Sequence, residues 1–513
     1  MPRPRKKDAP PLTTPQRLAS VIKSARDIMR KDKGLNGDLD RLPMLTWVMF
    51  LKFLDDTEMI REEEAKLDRT QRYRPAVEAP YRWRDWAAKE EGITGPELIA
   101  WVTHDEAVGP DGKRRQGLLA YLRGLESANG HDRRKVIATV FGGVVNRMTS
   151  GYLLRDVVNK VNGIHFNSSE EIHVLGTLYE SLLKELRDAA GDSGEIYTPR
   201  PVVRFMVEAT APTLGETILD PACGTGGFLV ESFLHLEKQC RTVQQRRTLQ
   251  ERTILGQEAK PLPYMLAQMN LLLHGLEYPA ITYGNSLAIT LTDIGDKDRV
   301  DVILTNPPFG GEEEKGILGG FPEDKRTSET ALLFLQLIMR RLRRQPKPGR
   351  AAVVVPNGTL FGDGICARIK EQLLTEFNLH TIVRLPNGVF APYTPIPTNL
   401  LFFERGGPTK EIWCYEHPLP EGRKQYTKTA SLQFEEFAPC LAWWSKRKAN
   451  ERAWKVKAKD VLANACNLDL KNPRAAQELE HLPPEQLVES ILEKERRIIE
   501  IMGEIKKILA EKP

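Results

Sequence analysis

A chain of 513 residues with 41% hydrophobic and 28% charged residues has the composition of a globular protein and is long enough for two or three domains. The net charge of +5 permits a nucleic-acid partner, but the dense Lys/Arg patch typical of a stand-alone DNA-binding protein is absent. No uninterrupted apolar span of about 18 residues and no secretory leader occur in the sequence, so we expect no membrane contact.

Cysteine usage gives no sign of a metal site or of disulfide bonds. The six cysteines show no CxxC pairing and have no histidines nearby. This pattern argues against zinc and favours a reducing cytoplasm. The cysteines are Cys223, Cys240, Cys366, Cys414, Cys440 and Cys466.

The first two of four predicted segments are a tail and a helical domain. Residues 1–14 are rich in Pro and basic residues, which predicts a disordered basic tail, although contact with phosphates is an alternative. Residues 15–165 are predicted to be an N-terminal helical domain, because apolar residues recur at helical spacing. Two such faces contain Leu18, Ile22, Ala25 and Met29, and Leu42, Leu45, Val48 and Phe53.

The third segment, residues 166–430, is predicted to be an α/β domain. It begins near a capping box formed by Ser168 and Glu171, and short β-branched runs then alternate with helical stretches. Such alternation predicts a doubly wound, mostly parallel sheet whose ligands lie at the carboxyl ends of the strands. The predicted strands are 217–219, 253–257, 281–283, 301–305, 351–355, 381–385 and 399–403, and predicted helices include 328–342 and 364–377.

A glycine-rich turn follows the first predicted strand. It reads Asp220-Pro-Ala-Cys-Gly-Thr-Gly-Gly-Phe228. No Lys-Ser/Thr follows the glycines, as a Walker A loop requires, and the third glycine of a dinucleotide fingerprint is missing. The turn therefore suits a ligand without a pyrophosphate, and together with the motif described next it indicates S-adenosylmethionine (SAM). We expect Asp220 to bind the positively charged amino-acid end of SAM, directly or through water.

Two polar residues follow the next two predicted strands. Glu258 is placed to accept hydrogen bonds from both ribose hydroxyls, as an acidic residue does in nucleotide-binding α/β folds; the alternative is a surface carboxylate. Asn285 is placed to meet the adenine amine of SAM, or it has no part in binding.

The sequence Asn306-Pro307-Pro308-Phe309 ends a further apolar run. An amine conjugated to a ring is a poor nucleophile, and the carboxamide oxygen of Asn306 and the carbonyl of Pro307 can accept hydrogen bonds from it. Phe309 would stack on the face of the base. A strand ending in a Pro-Pro turn is the alternative, but with the glycine turn the motif predicts methyl transfer to a planar exocyclic amine.

These motifs occur in the order found in N6-adenine DNA methyltransferases, and the chain resembles the modification (M) subunit of type I restriction–modification systems. The resemblance extends to residues 194–201, 329–335, 353–358, 385–392 and 398–403. It departs at Asn285-Ser286, where many relatives of the wider superfamily have an acidic residue. It implies that Asn306–Phe309 hold a flipped adenine. The residues expected to bind SAM are Glu195, Ile196, Tyr197, Thr198, Pro199, Arg200, Asp220, Gly224, Thr225, Gly226, Gly227, Phe228, Glu258 and Asn285.

The sequence also indicates which activities lie elsewhere. It has no insert long enough for a target-recognition domain and no P-loop. The resemblance implies double-stranded DNA, a specificity (S) subunit and a restriction (R) subunit as partners, with two M subunits per S subunit, in a prokaryotic cytoplasm. Because similar motifs serve methylation of RNA bases and of protein amides, those substrates, and a SAM-binding scaffold, are the alternatives.

The fourth segment, residues 431–513, is predicted to be a C-terminal helical segment for subunit docking. Its apolar residues are spaced three and four apart and form a narrow seam that needs a partner helix. Docking onto an S subunit is the expectation, and folding back on its own domain is the alternative. The seam consists of Val488, Ile491, Ile498, Met502, Ile505 and Leu509, with Glu495 as its one charged position.

Overall fold

The computed structural model describes residues 14–67, 73–125, 133–164, 198–391, 394, 396–474, 495–496 and 501–502. The predicted basic tail up to residue 13, the capping box at Ser168 and most of the C-terminal seam lie outside the described residues. Within the described ranges, no helix is both long and apolar enough to cross a membrane.

The N-terminal region is helical, as predicted. Both predicted apolar faces are buried in one hydrophobic cluster. A two-stranded hairpin, β1 (Glu106–Val108) and β2 (Arg114–Gln116), was not predicted; its three-residue strands are too short and polar to show a strand pattern. The helices are Thr14–Met29, Asp38–Leu67, Trp83–Trp86, Gly95–Thr103, Leu118–Arg123, Arg133–Phe141 and Gly151–Asn162.

The rest of the described chain is built around a nine-stranded sheet with the order β11-β10-β8-β9-β7-β6-β3-β4-β5. The strands run parallel except β9, which is antiparallel to β7 and β8, and β11, which is antiparallel to β10. All seven predicted strands are present, so the mostly parallel sheet is confirmed. The strands are β3 (Ile218–Asp220), β4 (Ile254–Glu258), β5 (Ala280–Tyr283), β6 (Val302–Thr305), β7 (Arg350–Pro356), β8 (Asn378–Arg384), β9 (Thr398–Glu404), β10 (Glu411–Glu416) and β11 (Ala453–Lys457).

Helices cover both faces of this sheet, because its central strands are apolar on both sides. In β7, Ala352 and Val354 belong to one buried cluster, whereas Ala351, Val353 and Val355 belong to another. The helices are Arg200–Thr210, Gly227–Glu237, Val243–Thr248, Pro261–Leu273, Lys315–Leu318, Thr330–Arg341, Gly358–Phe361, Ile365–Glu376, Ala438–Ser445 and Ala458–Ala463.

The helix Pro261–Leu273 takes part in two hydrophobic clusters. Its residues Met265 and Met269 pack in the cluster of the N-terminal region. Ala267 and Leu271 pack in the cluster beneath the sheet. One helix therefore joins the N-terminal region to the sheet.

The expectation that the chain is helical from residue 431 is wrong at Ala453–Lys457. This segment forms β11 and pairs antiparallel with β10, so the sheet extends well past residue 430. The exposed lysines of this segment made it look unlike a strand in the sequence. One of them, Lys455, forms an ion pair with Glu411 at 2.8 Å. Charged residues of this kind are common on edge strands, where they discourage pairing with another chain.

A buried carboxylate connects the start of β3 to the start of β7. Burial would raise the pKa of Glu216, but hydrogen bonds from Arg350, Lys347 and the N–H of Thr213 lower it to about 2. Arg350 donates to both carboxylate oxygens of Glu216 at 2.8 Å and to the carbonyl of Thr210 at 2.9 Å. The carboxylate therefore secures two strands and the end of the helix Arg200–Thr210.

We expect Glu216→Gln to lower the free energy of unfolding by about 3 kcal/mol at pH 7, because the half-buried Arg350 keeps its charge without this counter-charge. Since the folded pKa lies below the ordinary 4.5, the contribution is complete above pH 4.5 and is lost as the pH falls toward 2. Urea denaturation at pH 7 and pH 3 measures both effects. A difference between wild type and variant that stays constant across these pH values would contradict this account.

Candidate active site

The predicted site residues converge on the carboxyl edge of the sheet. Strands β6, β3, β4 and β5 are consecutive neighbours and parallel. The segment Asn306–Phe309 follows β6, the glycine turn follows β3, and Glu258 and Asn285 lie at the ends of β4 and β5. The chain order reverses between β3 and β6, which is the position where doubly wound sheets open a crevice for ligands.

The glycine turn is shaped by two residues with positive φ. Gly224 has φ +54° and Gly226 has φ +80°, a region that L-residues with a side chain rarely adopt. The N–H of Gly226 donates to the carbonyl of Cys223 at 2.8 Å, and the next helix begins at Gly227. A Cβ added at Gly224 or Gly227 would meet nothing within 4 Å, so this side of the turn is open to a ligand.

Two side chains donate hydrogen bonds to backbone carbonyls of the glycine turn. The amide nitrogen of Asn270, which is 2% exposed, donates to the carbonyl of Thr225 at 2.9 Å. Arg200 donates to the carbonyl of Gly227 at 3.2 Å and pairs with Glu231 at 3.4 Å. Asn270 was not predicted, although it is one of only two polar residues, with Gln268, in the run 265–273. Arg200, predicted to bind SAM, therefore also supports the turn.

Glu258 is oriented by the backbone around it. One carboxylate oxygen accepts from the N–H of Gly224 at 2.9 Å, and the other accepts from the N–H of Lys260 at 2.8 Å. These two hydrogen bonds fix the orientation of the carboxylate. The carboxylate is half-buried beside the open turn, a position suited to a ribose.

Asp220 is buried at the base of the same turn. Its side chain accepts from the N–H of Ala222 at 3.1 Å. Burial raises its pKa to about 7, although the Thr305 hydroxyl and the Ala222 N–H act to lower it; the charge of Glu258 raises it further. With 1% exposure, Asp220 suits an indirect contact with a ligand better than a direct one.

The side chain of Asn285 is engaged within the protein. Its carbonyl oxygen accepts from the N–H of Leu287 at 2.9 Å, and its amide nitrogen donates to Glu313 at 3.0 Å. The neighbouring Ser286 hydroxyl donates to the carbonyl of Pro221 at 2.5 Å and so ties the end of β5 to the glycine turn. This gives Asn285 a structural role, and its contact with an adenine stays a prediction.

The segment Asn306–Phe309 begins directly after β6. Pro307 is buried, while Asn306 and Phe309 are half-buried. The ring of Phe309 lies 6.2 Å from the ring of Phe390 with an interplanar angle of 60°, an edge-to-face arrangement. Phe390 was not predicted as a site residue, although it lies within the stretch 385–392 that carried the family resemblance.

The remaining predicted residues divide into three groups. Glu195, Ile196 and Tyr197 lie outside the described residues. Thr198 and Pro199 directly precede the helix Arg200–Thr210 and are half-buried. Phe228 is 3% exposed and packs in the core beneath the sheet, so only its backbone faces the turn.

The fold and the site define an α/β methyltransferase, and the chain belongs to the N-6 DNA methylase family. The family model described as N-6 DNA Methylase matches residues 170–481, and the model described as HsdM N-terminal domain matches residues 18–161. Within the family, the chain belongs with the modification subunits of type I restriction–modification systems, as the sequence predicted.

Individual relatives agree with this placement. The chain is 46% identical over 502 residues to the type I restriction enzyme EcoEI methylase subunit of Escherichia coli, covering 96% of this chain and 97% of the relative. A modification subunit from Vibrio vulnificus YJ016 superposes with a TM-score of 0.86 at 66% identity, covering 92% of this chain and 100% of that one. A chain from a structural study of type I complex assembly superposes with a TM-score of 0.76 at 40% identity, covering 98% and 100%.

Proposed function

We propose that this protein transfers a methyl group from SAM to N6 of an adenine flipped out of double-stranded DNA, as the modification subunit of a type I restriction–modification complex. The observation that carries this proposal is the pairing of two motifs at neighbouring strand ends. Asn306–Phe309 follow β6, and the glycine turn follows β3, its parallel neighbour. Parallel neighbours lie about 4.8 Å apart, so the amine acceptor and the methyl donor would share one crevice.

The residues around the turn fit SAM. The open side at Gly224 and Gly227 admits the backbone approach that the ligand needs, and the carboxylate of Glu258, oriented by the N–H of Gly224, lies beside it as the group proposed to bind the ribose. The other residues proposed to hold SAM are Glu195, Ile196, Tyr197, Thr198, Pro199, Arg200, Thr225, Gly226 and Phe228, with Asp220 acting indirectly and Asn285 at the adenine end.

Residues of this chain would make N6 of the adenine a better nucleophile. Asn306 and the carbonyl of Pro307 accept hydrogen bonds from the N6 hydrogens, which draws that nitrogen toward tetrahedral geometry and frees its lone pair. Phe309, steadied by Phe390, stacks on the base. When bound, SAM supplies an electrophilic methyl group whose bond to sulfur breaks as the bond to N6 forms. The N6 proton then passes to solvent, so no strongly basic side chain is needed.

Sequence recognition and DNA cleavage are assigned to partners. We propose an S subunit that reads the DNA sequence, an R subunit that cleaves, and two M subunits per S subunit. In this proposal residues 15–165 are the helical domain, the catalytic domain begins at residue 166 and continues past residue 430 to include β11, and the C-terminal segment docks on the S subunit. Supporting this, Ile501 and Met502 lie in a helix and are 43% and 63% exposed.

The proposal is tested by mass spectrometry of duplex DNA incubated with SAM and the purified chain, with and without a co-expressed S subunit. We expect N6-methyladenine only when the S subunit is present. Methylation by the isolated chain would assign DNA recognition to this chain itself. The absence of N6-methyladenine in both reactions would contradict the proposal and shift support to RNA or protein substrates.

The pKa of Asp220 predicts that SAM affinity depends on pH. Below about 7 this buried carboxyl is protonated, because its folded pKa lies well above the ordinary 3.8. Since SAM is positively charged, its binding favours the ionised carboxylate and releases a proton. Affinity should therefore rise roughly eightfold between pH 6 and pH 7.5. Calorimetry in two buffers measures the affinity and the proton release; Asp220→Asn should remove most of the pH dependence, and a flat wild-type profile would contradict the prediction.

A further inference from the structure

An exposed basic loop connects β10 to the helical turn before Ala438. Every residue from 421 to 429 is exposed except Tyr426. The loop contains Arg423, Lys424 and Lys428, against one acidic residue, Glu421. Nothing in the mechanism above uses this loop.

The loop lies at the same edge of the sheet as the catalytic motif. β7 is parallel to β6, β9 is antiparallel to both β7 and β8, and β10 is parallel to β8. β10 therefore ends at the edge where β6 ends. The N–H of His417, the first residue after β10, donates to the carbonyl of Arg384 at 2.9 Å, which ties the start of the loop to the end of β8.

Tyr426 anchors the loop. Its side chain is 1% exposed, and its hydroxyl donates to Glu436 at 2.5 Å. Its N–H donates to the carbonyl of Asn387 at 3.0 Å. Gly388 has φ +80°, and a Cβ there would lie 2.1 Å from the carbonyl oxygen of Tyr426. The close approach of these two backbones therefore requires glycine at position 388.

The segment that contacts Tyr426 also reaches Phe309, the residue proposed to stack on the adenine. Two residues after Gly388, Phe390 is buried and meets the ring of Phe309. Displacement of Tyr426 would thus be transmitted through the segment 387–390 to the ring proposed to stack on the adenine, because packed interiors leave little free space to absorb a shift.

We propose that the loop 421–429 binds the DNA phosphate backbone through Arg423 and Lys424, and that Tyr426 couples this contact to Phe309. The inference rests on the proposed function. Four strand spacings separate β10 from β6 in the sheet order, roughly 19 Å. At about 3.4 Å per base pair, the contacted phosphates lie about half a helical turn from the flipped adenine. Arginine and lysine are the side chains that supply such sequence-independent contacts.

The test compares two charge-matched double variants in the complex with the S subunit. Arg423→Ala/Lys424→Ala removes two positive charges from the loop. Arg246→Ala/Arg252→Ala removes two exposed arginines that precede β4, at the opposite edge of the sheet. Fluorescence anisotropy with a labelled duplex at several salt concentrations gives the affinity and its salt dependence.

For the loop variant we expect DNA affinity to fall on the order of tenfold at about 0.1 M salt, and the slope of log K against log salt to become shallower by about 2. The turnover rate at saturating DNA should fall as well, because Tyr426 couples the phosphate contact to Phe309. The control variant should keep the wild-type affinity and slope. Unchanged affinity and slope in the loop variant would overturn the proposal. So would a failure of that variant to co-purify with the S subunit, which would assign the loop to a protein partner.

A third variant tests the coupling. Gly388→Ala keeps every charge but forces the segment 387–390 away from Tyr426, so the turnover rate at saturating DNA should fall at least tenfold while SAM affinity is retained. A wild-type turnover rate in this variant would overturn the coupling. If the wild-type complex methylates no DNA, the proposed function fails instead, and the salt-slope comparison, which requires only binding, still decides the role of the loop.

Discussion

Replacement of Asn306 by alanine should reduce methylation of DNA by about 1,000-fold or more while leaving SAM affinity within twofold of wild type. The carboxamide oxygen is proposed to accept a hydrogen bond that strengthens as N6 becomes tetrahedral, and removal of one such preorganised group typically costs two to three orders of magnitude in rate. A misplaced amine adds to this loss. The residues proposed to bind SAM lie at 195–200 and at the ends of β3, β4 and β5, outside the segment that follows β6, so the cofactor site should be unaffected.

Asn357→Ala is the matched control for this experiment. Asn357 follows β7 at the same edge of the sheet, one strand from Asn306, and its carbonyl oxygen accepts from Asn399 at 3.1 Å. We expect this variant to lose less than tenfold in rate. Single-turnover kinetics and calorimetry separate the chemical step from SAM binding. Loss of SAM binding in Asn306→Ala would contradict the division of roles between the two strand ends.

Replacement of Glu258 by alanine should weaken SAM binding by about 100-fold. Its carboxylate would accept ribose hydroxyls, and a hydrogen bond to a charged group contributes about 1.5–3 kcal/mol. The same carboxylate accepts from the N–H groups of Gly224 and Lys260, so its removal also loosens the turn. Calorimetric titration with SAM measures the change.

The conservative variant Glu258→Gln distinguishes the two contributions. Glutamine retains one acceptor oxygen, which can keep the hydrogen bond to Gly224, but it loses the charge and the second acceptor. We therefore expect Glu258→Gln to bind SAM about tenfold more weakly than wild type, between wild type and Glu258→Ala. Wild-type affinity in both variants would contradict any role of Glu258 in SAM binding, whether direct or through the turn.

Much of this architecture followed from the sequence, because the central strands and both motifs are local signals. The predicted strand at 301–305 and the segment Asn306–Phe309 were readable without any tertiary information. Residues such as Asn270 and Phe390 were not, since their partners Thr225 and Phe309 are distant in the chain. β11 was missed because an edge strand carries charge on its exposed side. Asp220 was expected to bind SAM directly or through water, but its burial could not be predicted from the sequence.

The helix Pro261–Leu273 connects the N-terminal region to the glycine turn. Met265 and Met269 face one cluster, while Asn270 holds the carbonyl of Thr225 in the turn. A shortened chain beginning near residue 198 would expose the methionine side of this helix to water and so destabilise the helix from which Asn270 holds the turn. Ligand occupancy at the turn should, by the same connection, slow hydrogen exchange in the N-terminal helices.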